Sequence, residues 1–177
     1  MCGTDHPSIV VADMTSERFV DALNAQISRE FAAAHQYTAI GTYYAAETYP
    51  QLTKFFYDQA EEEREHAMKM VNYLLDRDAR VDFTEVSAPQ TQFTDHVEPI
   101  KLALQQERQV TVHIADLFTV ARETNDYLAE QFLHWFLEEQ VEEEASISDL
   151  LAVAERTREI PVLLEEYLAR ETPGEKP

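Results

Sequence analysis

The sequence predicts an all-α protein, a bundle of four long helices with a long crossover between the second and third helices and a short fifth helix at the C-terminal end. Apolar residues recur at alternating steps of three and four over four long segments, which is typical of helices that bury one face. Only three of the 177 residues are glycine, and 45% are hydrophobic. These features suit one globular domain with a substantial core.

The first two helices are predicted on either side of Pro50. The first covers residues 14–47, and Thr15 or Ser16 is its expected N-cap. The second covers residues 50–78, because proline is favoured in the first turn of a helix.

The remaining helices follow the same periodic pattern. The third covers residues 96–124, and the dipeptide Asn125-Asp126 makes a tight turn into the fourth at residues 127–156. Pro161 fits the first turn of the short fifth helix, which is expected to end near residue 170.

The segment between the second and third helices, residues 80–95, has no helical period, and Pro89 favours an extended chain there. Extended, such a segment spans about 50 Å. Helices of nearly thirty residues are about 42 Å long. The linker is therefore long enough to return along the whole bundle, which would make the second and third helices parallel.

The composition limits the classes of protein to which the chain can belong. Asp and Glu number 34 against 14 Lys and Arg, a net charge of −20 that disfavours nucleic acid and anionic membranes as partners. No apolar run is long enough for a signal peptide or a membrane span. The single cysteine, Cys2, excludes an internal disulfide. We expect a cytoplasmic protein with one domain at 14–171, a mobile tail at 1–13 and a frayed tail at 172–177.

Polar residues interrupt the apolar face of each long helix. A buried carboxylate costs several kcal/mol, roughly, unless a positive group meets it. Because the same interruption recurs on four helices, the pattern predicts a shared metal site. Its candidate ligands are Glu30, Glu63, His66, Glu107, Gln140 and Glu143.

The ligand types indicate which metals would bind. Carboxylates with one imidazole suit Fe, Mn or Zn. Glu63 and His66, three residues apart, can grip one ion, and shared carboxylates leave room for a second ion bridged by Glu63. Two adjacent Fe(II) ions could pass two electrons to O₂ or peroxide. Gln140 is a ligand or only a hydrogen-bonding residue, since amides at a bundle interface serve either purpose.

Four segments in order carry a resemblance to a known family: LNAQISREFAAAHQYTA, EEEREHAMKM, QQERQVTVHI and HWFLEEQVEEE. Over residues 15–170 the chain resembles a prokaryotic non-haem ferritin, which implies the ferritin-like fold. The resemblance implies a first iron on Glu30, Glu63 and His66. It implies a second iron on Glu63, Glu107 and Gln140, with Glu143 close by. Further carried-over positions are a possible third iron site at Glu62, Glu139, Glu142 and Glu143, and two redox-active rings, Tyr37 and Trp135.

The resemblance also implies a function. Fe(II) would be oxidised by O₂ or H₂O₂ at two irons within each subunit and stored as ferric oxyhydroxide. The container would be a homo-oligomeric shell of twenty-four subunits. Two other functions stay open: a structural subunit with an impaired centre, and a di-iron oxidase without storage. The acidic runs are either solvated faces or cavity lining, and Asp126 and Glu130 either line entry pores or favour a helix N-terminus.

Neighbouring families fit less well. Bacterioferritins carry a haem-ligating Met directly after the glutamate of the second helix, where this chain has Arg64. They also have a second Glu-x-x-His motif, which Gln140 and Glu143 replace here. We therefore expect no haem. Rubrerythrins need two Cys-x-x-Cys motifs, which a single cysteine cannot supply.

Overall fold

The computed structural model describes residues 16–171, so the tails predicted at 1–13 and 172–177, with Cys2 and Thr15, lie outside the described residues. Four long helices and one short helix are present, and the predicted fold class is confirmed. The helix α1 begins three residues after its predicted start, and every other helix end lies within two residues of its predicted position. Their bounds are α1 Glu17–Ala46, α2 Pro50–Asp76, α3 Glu98–Glu123, α4 Tyr127–Arg156 and α5 Val162–Leu168.

Local signals in the sequence account for the helix ends. Ser16 caps α1, and its hydroxyl accepts a hydrogen bond from the backbone N–H of Phe19 at 3.1 Å. The helices α1, α2 and α3 are each followed by a residue of positive φ: Thr48, Asp78 and Asn125. The N–H after each of these bonds to a carbonyl five residues earlier at 2.9 Å, which completes a Schellman turn.

The linker between α2 and α3 runs along α1 for most of its length. Asn24, near the start of α1, accepts from the N–H of Asp82 at 2.8 Å and donates to the carbonyl of Arg80 at 2.9 Å. Gln36, three turns further on, makes the same pair of bonds to the backbone of Gln90. Because linker and α1 advance together, α2 and α3 are parallel, and the predicted crossover is confirmed.

The bundle core consists of two apolar clusters. One, around Tyr44 and Phe56, lies at the end where α2 begins, and the other, around Phe19 and Met70, lies at the opposite end. The short helix α5 closes the first end: Leu164 is buried there. Across the described residues, no helix has the length and apolar character needed to cross a membrane.

Candidate metal centre

A layer of polar side chains separates the two apolar clusters. It draws one residue from α1, two from α2, one from α3 and two from α4, and none of the six is more than 7% exposed. All six were predicted from the sequence as metal ligands. They are Glu30, Glu63, His66, Glu107, Gln140 and Glu143.

The layer contains two overlapping groups of potential ligands. One ligand atom each from Glu30, Glu63 and His66 lies within 4.8 Å of the others, and the same is true of Glu63, Glu107 and Glu143. Glu63 belongs to both groups. The His66 Nδ1 atom is 3.7 Å from carboxylate oxygens of both Glu63 and Glu143, so the two groups adjoin. Two cations sharing one carboxylate would fit this arrangement.

The carboxyl groups lack enough protein donors. One oxygen each of Glu30, Glu63 and Glu143 is buried without a hydrogen-bond partner among the described residues. Burial raises the pKa of Glu30 to about 7 and, together with repulsion from Glu107, that of Glu143 to about 10. Without a cation the site therefore retains protons at neutral pH. Orphaned carboxylate oxygens of this kind fit metal ligation.

The imidazole of His66 is available as a ligand. Burial and the Lys69 ammonium lower the pKa of His66 to about 4, so the ring is neutral at neutral pH. The Trp135 ring packs edge-on against it, with ring centroids 5.3 Å apart and planes at 80°. The ammonium nitrogen of Lys69 lies 3.8 Å from the centre of the Trp135 ring.

The other predicted redox ring lies on the opposite side of the layer. Tyr37 is fully buried, and its hydroxyl donates a short hydrogen bond to the Glu107 carboxylate. Burial raises the pKa of Tyr37 well above its ordinary value. Trp135 and Tyr37 thus both contact predicted ligands, one through an imidazole and one through a carboxylate.

Gln140 has its amide nitrogen directed at α3. It donates to the Glu107 carbonyl at 3.2 Å, to a Glu107 carboxylate oxygen at 3.4 Å and to the Thr111 hydroxyl at 3.3 Å. These bonds orient the Glu107 carboxylate. Metal ligation by Gln140 stays a prediction, since rotating its amide by half a turn would direct the oxygen, instead of the nitrogen, towards Glu107.

Sequence reasoning missed a residue that positions Glu30. The Gln26 amide donates to the Glu30 carboxylate at 2.8 Å, and Arg29 in turn donates to the Gln26 oxygen at 3.0 Å. Gln26 is fully buried, one turn before Glu30 on the same face. The four-residue spacing between Gln26 and Glu30 could have indicated this contact, because residues at i and i+4 are neighbours on the surface of a helix.

The predicted third site adjoins the centre. Partial burial and the neighbouring Glu139 raise the pKa of Glu62. Repulsion from Glu62 and Glu139 also contributes to the raised pKa of Glu143. Glu142 is exposed. A further metal at these acids stays a prediction.

The two candidate pore residues, and the arginine that stands where bacterioferritins have a haem-ligating Met, have partners within the subunit. Asp126 caps α4 by accepting from the N–H of Ala129 at 3.0 Å, and Glu130 pairs with Arg122 at 3.3 Å. The Arg64 guanidinium is exposed and pairs with Glu61 at 3.4 Å. A pore role for Asp126 and Glu130 stays a prediction.

Fold and site together define a four-helix-bundle protein with a buried carboxylate–histidine centre that suits two metal ions. The model of the Ferritin-like domain family matches residues 20–157. Ferritin BfrB of Mycobacterium tuberculosis is 47% identical over 154 residues, which are 87% of this chain and 85% of that protein. The bacterial non-heme ferritin of Staphylococcus aureus is 45% identical over 132 residues, 75% of this chain and 80% of that protein.

A solved structure agrees with these relatives. The open pore ferritin of the archaeon Archaeoglobus fulgidus superposes with a TM-score of 0.85 at 28% identity, over 90% of this chain and 99% of that chain. The chain therefore belongs to the ferritin family.

Proposed function

We propose that this protein is an iron-storage ferritin with ferroxidase activity, which oxidises Fe(II) to Fe(III) with O₂ or H₂O₂. The observation that carries the proposal is the pair of buried ligand groups that share Glu63. A single structural cation would not require a second set of carboxylates. Two adjacent Fe(II) ions would supply the two electrons that reduce O₂ to peroxide.

In this proposal each side chain has a stated task. Glu30 and His66 bind the first Fe(II), Glu107 and Glu143 bind the second, and Glu63 bridges the two. Gln140 orients Glu107 or binds the second ion through its oxygen. Entry of two dications displaces the protons that the carboxyls retain in the metal-free protein. Reduction of O₂ to peroxide takes both of its electrons from the two Fe(II) ions; when the oxidant takes one electron more than the bound Fe(II) supplies, Tyr37 or Trp135 gives it.

Storage is the second half of the proposed function. Twenty-four copies would form a hollow cytoplasmic shell, with ferric oxyhydroxide inside it and no haem in the subunits. The third site at Glu62, Glu139, Glu142 and Glu143 would pass Fe(III) towards the cavity. Support comes from the ferritin family membership and from the acids that surround Glu143.

Rapid-mixing absorbance of the metal-free protein with Fe(II) in air tests the enzyme. We expect a fast phase that saturates at about two irons per subunit, followed by slower uptake. Glu63→Ala should abolish the fast phase while the helix content is unchanged. The matched control is Glu61→Ala, which removes an exposed carboxylate from the same helix.

The outcomes separate the candidate functions. Oxidation no faster than in buffer would reject the ferroxidase and leave a structural subunit. A fast phase without continuing uptake would indicate a di-iron oxidase without storage. Unchanged kinetics in Glu63→Ala would reject the bridging role of Glu63.

A further inference from the structure

The ammonium of Lys69 lies against the face of the chain's one tryptophan. The Lys69 nitrogen is 3.8 Å from the Trp135 ring centre, and the same ring packs on His66. Lys69 follows His66 by three residues on α2, so both side chains reach the same part of α4. The Phe136 ring also packs edge-on against His66, with centroids 6.0 Å apart, but Trp135 is the ring against which the Lys69 ammonium lies.

A cation in this position makes the ring harder to oxidise. A neutral indole attracts an ammonium through the negative face of its π system. An indole that has lost an electron is positively charged, so the attraction becomes repulsion between like charges. Lys69 therefore stabilises the reduced form of Trp135 relative to the oxidised form.

Tyr37 is in the opposite situation. In the described part of the chain, the cation–ring contacts are Lys69 with Trp135 and Arg122 with Phe118, and Tyr37 is in neither. Its hydroxyl donates to the Glu107 carboxylate, which can accept the phenolic proton as the electron leaves. Oxidation of Tyr37 thus yields a neutral ring and requires no separated positive charge.

We propose that Lys69 determines which ring supplies an electron, so that Tyr37 is oxidised and Trp135 stays reduced. The inference rests on the proposed ferroxidase function and adds a positioning residue to it. The step applies when H₂O₂ meets one Fe(II) at the centre. Fe(II) and Tyr37 each give one electron, and H₂O₂ with two protons becomes two water molecules. One proton is that of the Tyr37 hydroxyl, passed on through Glu107, and the other comes from solvent. A later Fe(II), with one proton, reduces the tyrosyl radical.

The test compares four forms of the metal-free protein mixed with about one Fe(II) per subunit and then H₂O₂. They are the parent chain, Lys69→Met, Lys69→Arg and Lys54→Met. Arginine retains the cation over the ring. Lys54→Met removes an exposed charge elsewhere on α2, where Lys54 pairs with Asp58. Freeze-quenched electron paramagnetic resonance identifies the radical, and tryptophan fluorescence, read after the iron is reduced and chelated, measures surviving Trp135.

In the parent chain we expect a tyrosyl signal and little loss of tryptophan. Lys69→Met should increase Trp135 loss per iron oxidised by about twofold to fivefold, the range expected for a cation–π contact of an exposed lysine. The Arg variant and the Lys54 variant should match the parent. Equal Trp135 loss in the parent and Lys69→Met, with iron oxidation intact, would overturn the inference. Absence of catalysed iron oxidation in the parent would instead overturn the proposed function.

Discussion

At the scale of single residues, the metal-free centre is a group of carboxyls with too few donors. Glu30, Glu63 and Glu143 each have a buried oxygen without a hydrogen-bond partner among the described residues. Ionising them in place costs free energy because burial and mutual repulsion oppose the charge. The arrangement thus lowers the stability of the empty bundle and favours cation binding.

The pH dependence of thermal stability in Glu143→Gln tests this cost of ionisation. The folded-state pKa of Glu143 is about 10 against an ordinary value of 4.5, so the folded state retains a proton that the unfolded state has lost. Stability contributed by that proton is complete below pH 4.5 and decreases as the pH rises towards 10. The metal-free parent should therefore lose Tm between pH 7 and 10 more steeply than the variant.

Thermal unfolding followed by circular dichroism measures both slopes. Saturating Zn²⁺ in the parent should flatten the dependence, because the cation replaces the protons. Identical slopes for parent and Glu143→Gln would mean that Glu143 ionises freely in the folded protein, contrary to the expected burial effect.

Gln140 provides a second test at the residue scale. Gln140→Glu adds a carboxylate beside Glu107, where the amide now donates a hydrogen bond. We expect the metal-free variant to lose about 1–3 kcal/mol of unfolding free energy, because a buried carboxylate replaces the donor. Binding of the second metal should become tighter because the site gains a negative ligand.

Calorimetric titration with Zn²⁺ and urea denaturation give the two quantities. Gln105→Glu, an exposed position on α3, controls for the added charge. Weaker second-site binding in Gln140→Glu would indicate that orientation of Glu107 by the amide matters more than ligand charge.

At the scale of elements, the polar side chains of α1 fix the path of the linker. Asn24 and Gln36 each form a two-bond pair with linker backbone groups, and the Tyr44 hydroxyl donates to the carbonyl of His96 at 2.6 Å. These bonds satisfy backbone groups that no regular structure satisfies. They also place α3 parallel to α2, which brings Glu107 level with Glu63.

Removing one of these side chains should loosen the linker and leave the bundle helical. We expect Asn24→Ala and Gln36→Ala each to cost about 1–3 kcal/mol of unfolding free energy, because partly buried backbone groups lose their partners. Thr38→Ala is the control, since Thr38 bonds only within its own helix at 2.8 Å. Limited proteolysis should cut the linker faster in the two variants, and cutting at the parent rate would contradict the role of these bonds.

At the scale of the whole molecule, charge is distributed unevenly. The middle of α2 and α4 carries exposed acids, among them Glu61, Glu65, Glu138 and Glu142. By contrast, the only acidic residue of α3 between Glu98 and Asp116 is Glu107, and its side chain is buried in the bundle. If subunits form a shell, the α2 and α4 surface is the one suited to collecting cations.

Light scattering coupled to size exclusion tests the proposed assembly. A shell of twenty-four chains of 20.4 kDa has a mass of about 490 kDa, far from that of a monomer or dimer. We expect the large species at low micromolar concentration, with or without iron. A protein that stays monomeric under these conditions would contradict the shell while leaving the metal centre intact.

The sequence predicted most of the fold because apolar spacing and interrupting acids are both visible in it. Glu30 and Glu107 were found as carboxylates on apolar faces, and the structure places both in the polar layer. Gln26 and Lys69 were not found, since an amide or an ammonium on a helix is common and its partner lies on another turn or another helix. The role of Asn24 was equally hidden, because it depends on where the linker runs.

The bonds between α1 and the linker have one more consequence, for protein engineering. The linker groups that bond to Asn24 and Gln36 are main-chain atoms, whereas Thr84 bonds to Ser28 of α1 through its side chain. Most side chains between residues 85 and 92 are exposed. Residues substituted there would follow the backbone path that the hydrogen bonds of Asn24 and Gln36 set, without having to form those bonds with their own side chains. This part of the linker is thus suited to presenting an inserted peptide, because side chains of α1 hold its backbone in place.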